Sequence, residues 1–166
     1  TIGAIERAVT DHALAQGWQP PAPAKPRRES VAVIGAGPAG LACAERLARA
    51  GVAVTVYDRD PYIGGLLASG VPSFKVEPEV LERREAVLRA LGIEFVLGVA
   101  VDAPRVNALR TRHAALFIGT GAQRPRAVTL PGQNLGGVHE GLAFLRAVKS
   151  GGVDLHGRRV VTDAPE

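Results

Sequence analysis

The sequence predicts an α/β fold, an open sheet of parallel strands with helices packed against it. Three observations carry that expectation. Val31-Ala32-Val33-Ile34 is an apolar, mostly β-branched run that leads directly into Gly35-Ala36-Gly37-Pro38-Ala39-Gly40 and then a helix-forming stretch. A second such run, Val52 to Tyr57, follows that stretch and ends in Asp58. A third, Ala114 to Ile118, ends in Gly119-Thr120-Gly121-Ala122. Buried parallel strands read as continuous apolar runs of this kind, and helical segments between them imply crossover connections.

Residues 2 to 16 predict the first helix, with Ile2, Ile5, Val9 and Ala13 on one face, Thr1 as its cap and Gly17 as its stop. Trp18 follows. Residues 19–28 then hold Pro20, Pro21, Pro23 and Pro26, the composition of an extended, semi-rigid linker. The helix is therefore expected to belong to something preceding the strand–turn–helix unit, or to pack on its outside.

Ser30 to Asp58 has the order of a nucleotide-binding βαβ unit, a G-x-G-x-x-G turn set between strand and helix. Gly35 permits a tight turn, Gly37 lets backbone approach a pyrophosphate, and Gly40 lets helix and sheet pack closely. The helix start offers free N–H groups and the positive end of its dipole to phosphates. Along residues 38–50, Leu41, Ala44, Leu47 and Ala48 face inward, Glu45 and Arg49 form an exposed i,i+4 pair, and Gly51 ends the helix. Asp58 is placed to accept hydrogen bonds from an adenosine ribose.

Beyond Asp58, the stretch through Lys75 combines Gly64-Gly65 and Gly70 with Leu66, Leu67, Val71 and Phe74. Bare backbone amides beside an apolar wall suit something flat and partly charged, such as a flavin with its phosphates. Residues 77–91 predict a helix with Pro78 in its first turn, with Val80, Leu81, Val87, Leu88 and Leu91 inward and its Glu and Arg residues solvated. Residues 93–97 and 99–101 predict short strands, and 104–110 a short helical crossover. After the strand at 114–118, Leu130-Pro131-Gly132 marks a turn, 142–149 a helix, and 157–161 the beginning of a strand.

Composition excludes several classes. The chain has 166 residues, enough for one domain with a core, and 46% of them are hydrophobic. No apolar run approaches the ~20 residues that cross a bilayer, so no membrane role and a cytoplasmic location are expected. The single cysteine, Cys43, rules out an internal disulfide framework and a cysteine-built metal cluster, and it sits where a helix needs a small apolar residue. The net charge is +4, but aromatic residues are only 4%, so no stacking platform for nucleic acid is expected. His12, His113, His139 and His156 show neither metal-ligand spacing nor a Ser or Cys partner. No catalytic side chain and no metal ligand are assigned. Lys75 is the polar residue of most interest near the expected flavin edge.

Taken together, Ile2-Gly3-Ala4-Ile5-Glu6-Arg7, Asp11-His12-Ala13-Leu14 through Gly17-Trp18, Val33 to Leu41, Val56-Tyr57-Asp58-Arg59, Ile63-Gly64-Gly65-Leu66-Leu67, Gly70-Val71-Pro72-Ser73-Phe74-Lys75 and Phe117 to Ala122 carry a family likeness. The chain resembles the flavin half of the glutamate synthase small (beta) subunit and its relatives, over residues 1 to about 160. The resemblance implies a Rossmann-like FAD-binding domain at 29–157, preceded by a helix at 1–18 left over from an N-terminal iron–sulfur-type helical domain and by a Pro-rich linker at 19–28. It implies that 158–166 begins an NAD(P)H-binding domain.

On the same resemblance, Gly35, Ala36, Gly37, Pro38, Ala39 and Gly40 hold the FAD pyrophosphate, and Asp58, with Arg59 beside it, the adenosine ribose. Gly64, Gly65 and Leu66 line the flavin side, Val101 lies near the adenine, and Gly119, Thr120 and Gly121 close over the cofactor. Many members carry Glu at the position of Asp58, so this shorter side chain must reach further. The implied activity passes electrons from NADPH through FAD to iron–sulfur clusters or a partner, such as the large (alpha) subunit of glutamate synthase. NADPH and 4Fe-4S clusters belong to the full-length family, since this chain has neither a preceding cysteine-rich region nor a second glycine fingerprint. A fragment or truncated product is therefore expected. A non-catalytic FAD-binding module and an NAD-binding Rossmann module are the alternatives; Asp58 permits the second, and the loop from Gly64 to Lys75 argues against it.

Overall fold

Strand β1 (Ser30–Ile34) is central because its side chains are apolar on both faces. In the computed structural model, which describes residues 1–18, 24–125, 129–157 and 159, β1 pairs in parallel with β2 (Ala53–Tyr57) on one side and β4 (Ala115–Ile118) on the other. Strand β3 (Glu94–Val96) extends the sheet beyond β2, giving the order β3-β2-β1-β4. The expected α/β fold with a parallel sheet is observed. Among the described residues no helix is long and apolar enough to cross a membrane.

Helices cover both faces of the central strand β1. Val31, Val33, Val54 and Val56 point to one face, where Leu41, Ala44 and Ala48 of helix α2 (Pro38–Arg49) and Leu88 of helix α4 (Pro78–Ala90) bury them. Ala32 and Ile34 point the other way, against Leu109 of helix α5 (Ala103–Arg112). The period-2 alternation thus feeds two hydrophobic layers. Arg49 pairs with Glu45 as the i,i+4 spacing predicts, but the pair is half-buried rather than exposed. Arg84 of α4 also reaches the Glu45 carboxylate, so α2 and α4 are joined by a three-residue ion cluster.

Other departures have local causes. Residues 99–101 form no strand: Gly98, with φ +71°, turns the chain, and Gly98 and Val99 donate to the carbonyls of Asp60 and Asp58 at 3.0 and 2.8 Å. Leu66–Ser69 forms a short helix, α3, inside the expected apolar loop. Helix α1 (Ile2–Ala15) forms as expected, yet Thr1 gives it no side-chain cap. Its apolar stripe faces outward, with Ile2 78%, Ile5 66% and Val9 64% exposed. The helix touches α4 through Asp11 and Arg83, 3.5 Å apart. Of the proline-rich stretch, residues 24–28 are tied to the end of α2 by Ala24 N–H to Arg49 O at 3.0 Å and Arg27 N–H to Gly51 O at 2.8 Å. Residues 19–23 lie outside the described residues, as do Val160 and Val161 of the expected last strand. Helix α6 (Gly141–Lys149) is capped by Glu140, whose carboxylate accepts from Leu142 and Ala143 N–H at 2.9 and 2.8 Å.

Candidate functional site

The site is set by the place where strand order reverses. Chain leaving β1 crosses to β2 on one side, while β4 lies on the other, so a crevice opens at the carboxyl ends of these strands. The glycine turn fills the base of that crevice. Gly35 has φ +110°, and a Cβ there would lie 2.3 Å from the Gly119 carbonyl oxygen. The same close approach lets Gly35 N–H bond Tyr57 O and Gly119 N–H bond Ile34 O, both at 2.8 Å. A Cβ on Gly40 would sit 1.8 Å from the Gly35 carbonyl oxygen. Gly35 and Gly40 are therefore demanded by the protein itself.

Gly37 is different. Its backbone is ordinary, with φ −75°, and a Cβ would meet nothing within 4 Å. No side chain caps α2 at this point, and Gly37, Pro38 and Ala39 face the crevice. A side chain at Gly37 would point into open space beside the start of α2.

Two loops brace this turn. The Asp58 carboxylate accepts from Ala36 N–H at 2.5 Å and from Asp60 N–H at 2.9 Å. Gly64 N–H donates to Ala36 O at 2.8 Å, which seats the start of α3 on the turn. A Cβ at Gly65 would come within 3.0 Å of the Gly37 Cα.

The resulting cleft has a volume of about 560 Å³, within the usual range for small-molecule sites. Of the residues expected to contact a cofactor, Gly35, Gly37, Pro38, Ala39, Asp58, Arg59, Gly65, Leu66, Val101, Gly119, Thr120 and Gly121 line it. Ala36, Gly40 and Gly64 stand behind that wall and support it. Tyr57, Asp60, Leu67, Val99, Ala100, Gln123 and Arg146 also line the cleft. Val99 and Ala100 were within reach of sequence reasoning, being neighbours of Val101. Arg146 was not, because only tertiary packing brings α6 to this edge.

Lys75 is exposed and does not line the cleft. Cys43 is half-buried against the core, and burial pushes its thiol pKa up, which disfavours a reactive thiolate. One histidine does have a serine partner, contrary to the reading of the sequence: Ser30 Oγ and His113 Nδ1 are 3.1 Å apart. They meet at the amino ends of β1 and β4, the opposite edge from the cleft, where Ala114 N–H also bonds Ser30 O at 2.8 Å. No group of three or more His, Cys, Asp or Glu residues that could hold a metal occurs among the described residues.

Comparisons with known proteins agree with this geometry. A family model described as pyridine nucleotide-disulphide oxidoreductase matches residues 29–161. The Escherichia coli protein AegA is 47% identical over 149 residues, covering 89% of this chain and 23% of its own length. The glutamate synthase [NADPH] small chain of Halomonas elongata is 45% identical over 150 residues, 89% of this chain and 32% of that protein. Among solved structures, Mycobacterium tuberculosis FprA in complex with NADPH aligns with a TM-score of 0.64 at 25% identity, over 73% of this chain and 29% of FprA. The chain thus spans less than half the length of these relatives.

Proposed function

The chain belongs to the pyridine nucleotide-disulphide oxidoreductase family, and from that premise we propose that its cleft binds FAD as the flavin-holding part of an NAD(P)H-dependent oxidoreductase. The observation that carries this reading is Gly37. Nothing in the fold requires a glycine there, and the space its missing side chain leaves opens over the start of α2.

On this reading the residues divide the work. The N–H groups at the start of α2 take the pyrophosphate. Asp58 takes the adenosine ribose: a carboxylate has about four acceptor positions, and the N–H groups of Ala36 and Asp60 use two of them. Val101, Val99 and Ala100 form the adenine side, and Gly65, Leu66 and Leu67 the largely apolar flavin side. Gly119 to Gly121 let the backbone after β4 close against the ligand. Bound FAD would supply the redox chemistry, and the residues of the cleft its placement.

For the whole protein we infer the direction NADPH to FAD and then, through 4Fe-4S clusters, to a partner such as the glutamate synthase large subunit. The naming of relatives as glutamate synthase [NADPH] small chains supports the NADPH and the partner of this inference. A cytoplasmic setting belongs to the same inference.

The test is the visible spectrum of the purified chain after incubation with FAD and gel filtration. A retained flavin band, absent from Gly37→Glu, is expected. A folded wild-type chain that retains no flavin would overturn the assignment.

A further inference from the structure

Two arginines from distant parts of the chain meet at the rim of the cleft. Arg59 follows β2, and Arg146 lies on α6. Both donate to one oxygen: Arg59 Nη2 lies 2.8 Å, and Arg146 Nη2 3.2 Å, from Gln123 Oε1. The Gln123 amide is itself fixed, its Nε2 donating to Thr120 O at 2.9 Å. Two guanidinium groups thus share a single neutral acceptor.

Asp58 and Asp60 line the same cleft, but the one ion pair they make with these arginines is long. Arg59 has Asp60 at 4.0 Å. Arg146 makes no ion pair among the described residues, and its Nε is buried with no acceptor. Glu140 does not supply one. Its carboxyl is held below the usual range first by the N–H groups of Leu142 and Ala143 that it caps, and only lastly by Arg146. A buried donor on a charged group is costly to leave unpaired. That Nε is itself closed off from the cleft, but Arg146 and Arg59 both line it, and the planar fork of arginine suits a phosphoryl group.

We propose that Arg146 and Arg59 form an anion subsite at the rim of the cleft that takes a phosphoryl oxygen of the bound dinucleotide, with Gln123 spacing the two guanidiniums. The subsite adds side-chain charge to what the start of α2 provides through backbone. It rests on the reading of the cleft as a dinucleotide site and deepens it, naming diphosphate as the recognised chemistry.

The experiment measures equilibrium binding to the full chain, with FAD and riboflavin followed by flavin fluorescence and ADP and inorganic pyrophosphate by calorimetry. Arg146→Gln should weaken FAD and ADP about tenfold or more, the usual range for a lost charge-assisted contact, and leave riboflavin unchanged. Arg59→Gln, on an exposed side chain, should act in the same direction and serves if Arg146→Gln does not fold by circular dichroism. Equal FAD and ADP affinities in wild type and both variants would overturn the subsite while leaving the flavin assignment standing. ADP or pyrophosphate binding that is lost in Arg146→Gln, in a chain that takes no FAD, would support the subsite and overturn the flavin assignment. A wild-type chain that binds none of the four would overturn both.

Discussion

The Asp58 carboxylate accepts a 2.5 Å hydrogen bond from the backbone N–H of Ala36, the residue between the first two glycines of the turn. An acid at the end of β2 therefore does two jobs, holding the turn in shape and presenting its remaining lone pairs to the cleft. Asp58→Ala removes the brace and leaves Ala36 N–H, on a fully buried residue, without its acceptor. A charged acceptor lost from a buried donor costs about 1.5–3 kcal/mol. We expect the urea midpoint to fall accordingly and retained flavin to fall with it. Asp58→Asn keeps one acceptor oxygen and should lie between.

The glycines of the turn separate by the same logic. Gly40→Ala places a Cβ against the Gly35 carbonyl, a backbone atom that has no room to move. The loss should exceed about 3 kcal/mol, as for severe overpacking, and show as an unfolded or aggregated chain. Gly37→Ala meets no protein atom. Its stability should stay within about 1 kcal/mol of wild type, the scale of changes at a helix cap, while FAD affinity drops at least several-fold. If Gly37→Ala unfolds the chain, Gly37 is structural and the space over it is not reserved for ligand.

Glu45 gives the fold a dependence on pH. Burial works to raise its carboxyl pKa, but hydrogen bonds and charge from Arg84 and Arg49 outweigh this and hold it below its ordinary 4.5. A group depressed in the folded state contributes stability that is present above the unfolded value and lost as pH falls through the folded one. Glu45→Gln should therefore be less stable than wild type at pH 7, by about 1 kcal/mol given the partial exposure of its partners. The gap should close below pH 4.5. Thermal melts at pH 7 and below 4 would show it, and a constant gap would mean that packing, not charge, is responsible.

What could be read from the sequence follows from range of interaction. The β1–turn–α2–β2 unit is specified by residues within one stretch of chain, where strand period, glycine spacing and helix stops each act locally, and the elements fall where expected. Contacts that need tertiary closure were out of reach: Glu45 with Arg84, Ser30 with His113 and Arg59 with Gln123 are 39, 83 and 64 residues apart. Val99 to Val101 misled for a different reason. An apolar triplet fits a strand or a cleft wall equally well, and the positive φ of Gly98 decides between them. Lys75 was the cation singled out, yet Arg146 reaches the cleft, because α6 and not the end of the Gly64–Lys75 loop packs at its rim.

A second lysine shows how that packing is held. Lys149, at the end of α6, sends Nζ to Val71 O at 2.5 Å and to Leu67 O at 3.2 Å. These carbonyls belong to α3 and the residues after it, the segment that begins at Gly65 against the glycine turn. The lysine thus fastens α6 to the α3 wall, and with it the helix that carries Arg146. Lys149→Met keeps most of the apolar stem but deletes the donors. The two carbonyls are left half-buried without a partner, at a cost of about 1–3 kcal/mol, concentrated in a segment with little core of its own. Hydrogen exchange should then accelerate at the amides of residues 66–71 while those of β1 and β2, paired at the centre of the sheet, remain protected. Uniform acceleration across the sheet would instead make Lys149 a determinant of global stability, and no change at residues 66–71 would show that α3 holds its place without α6.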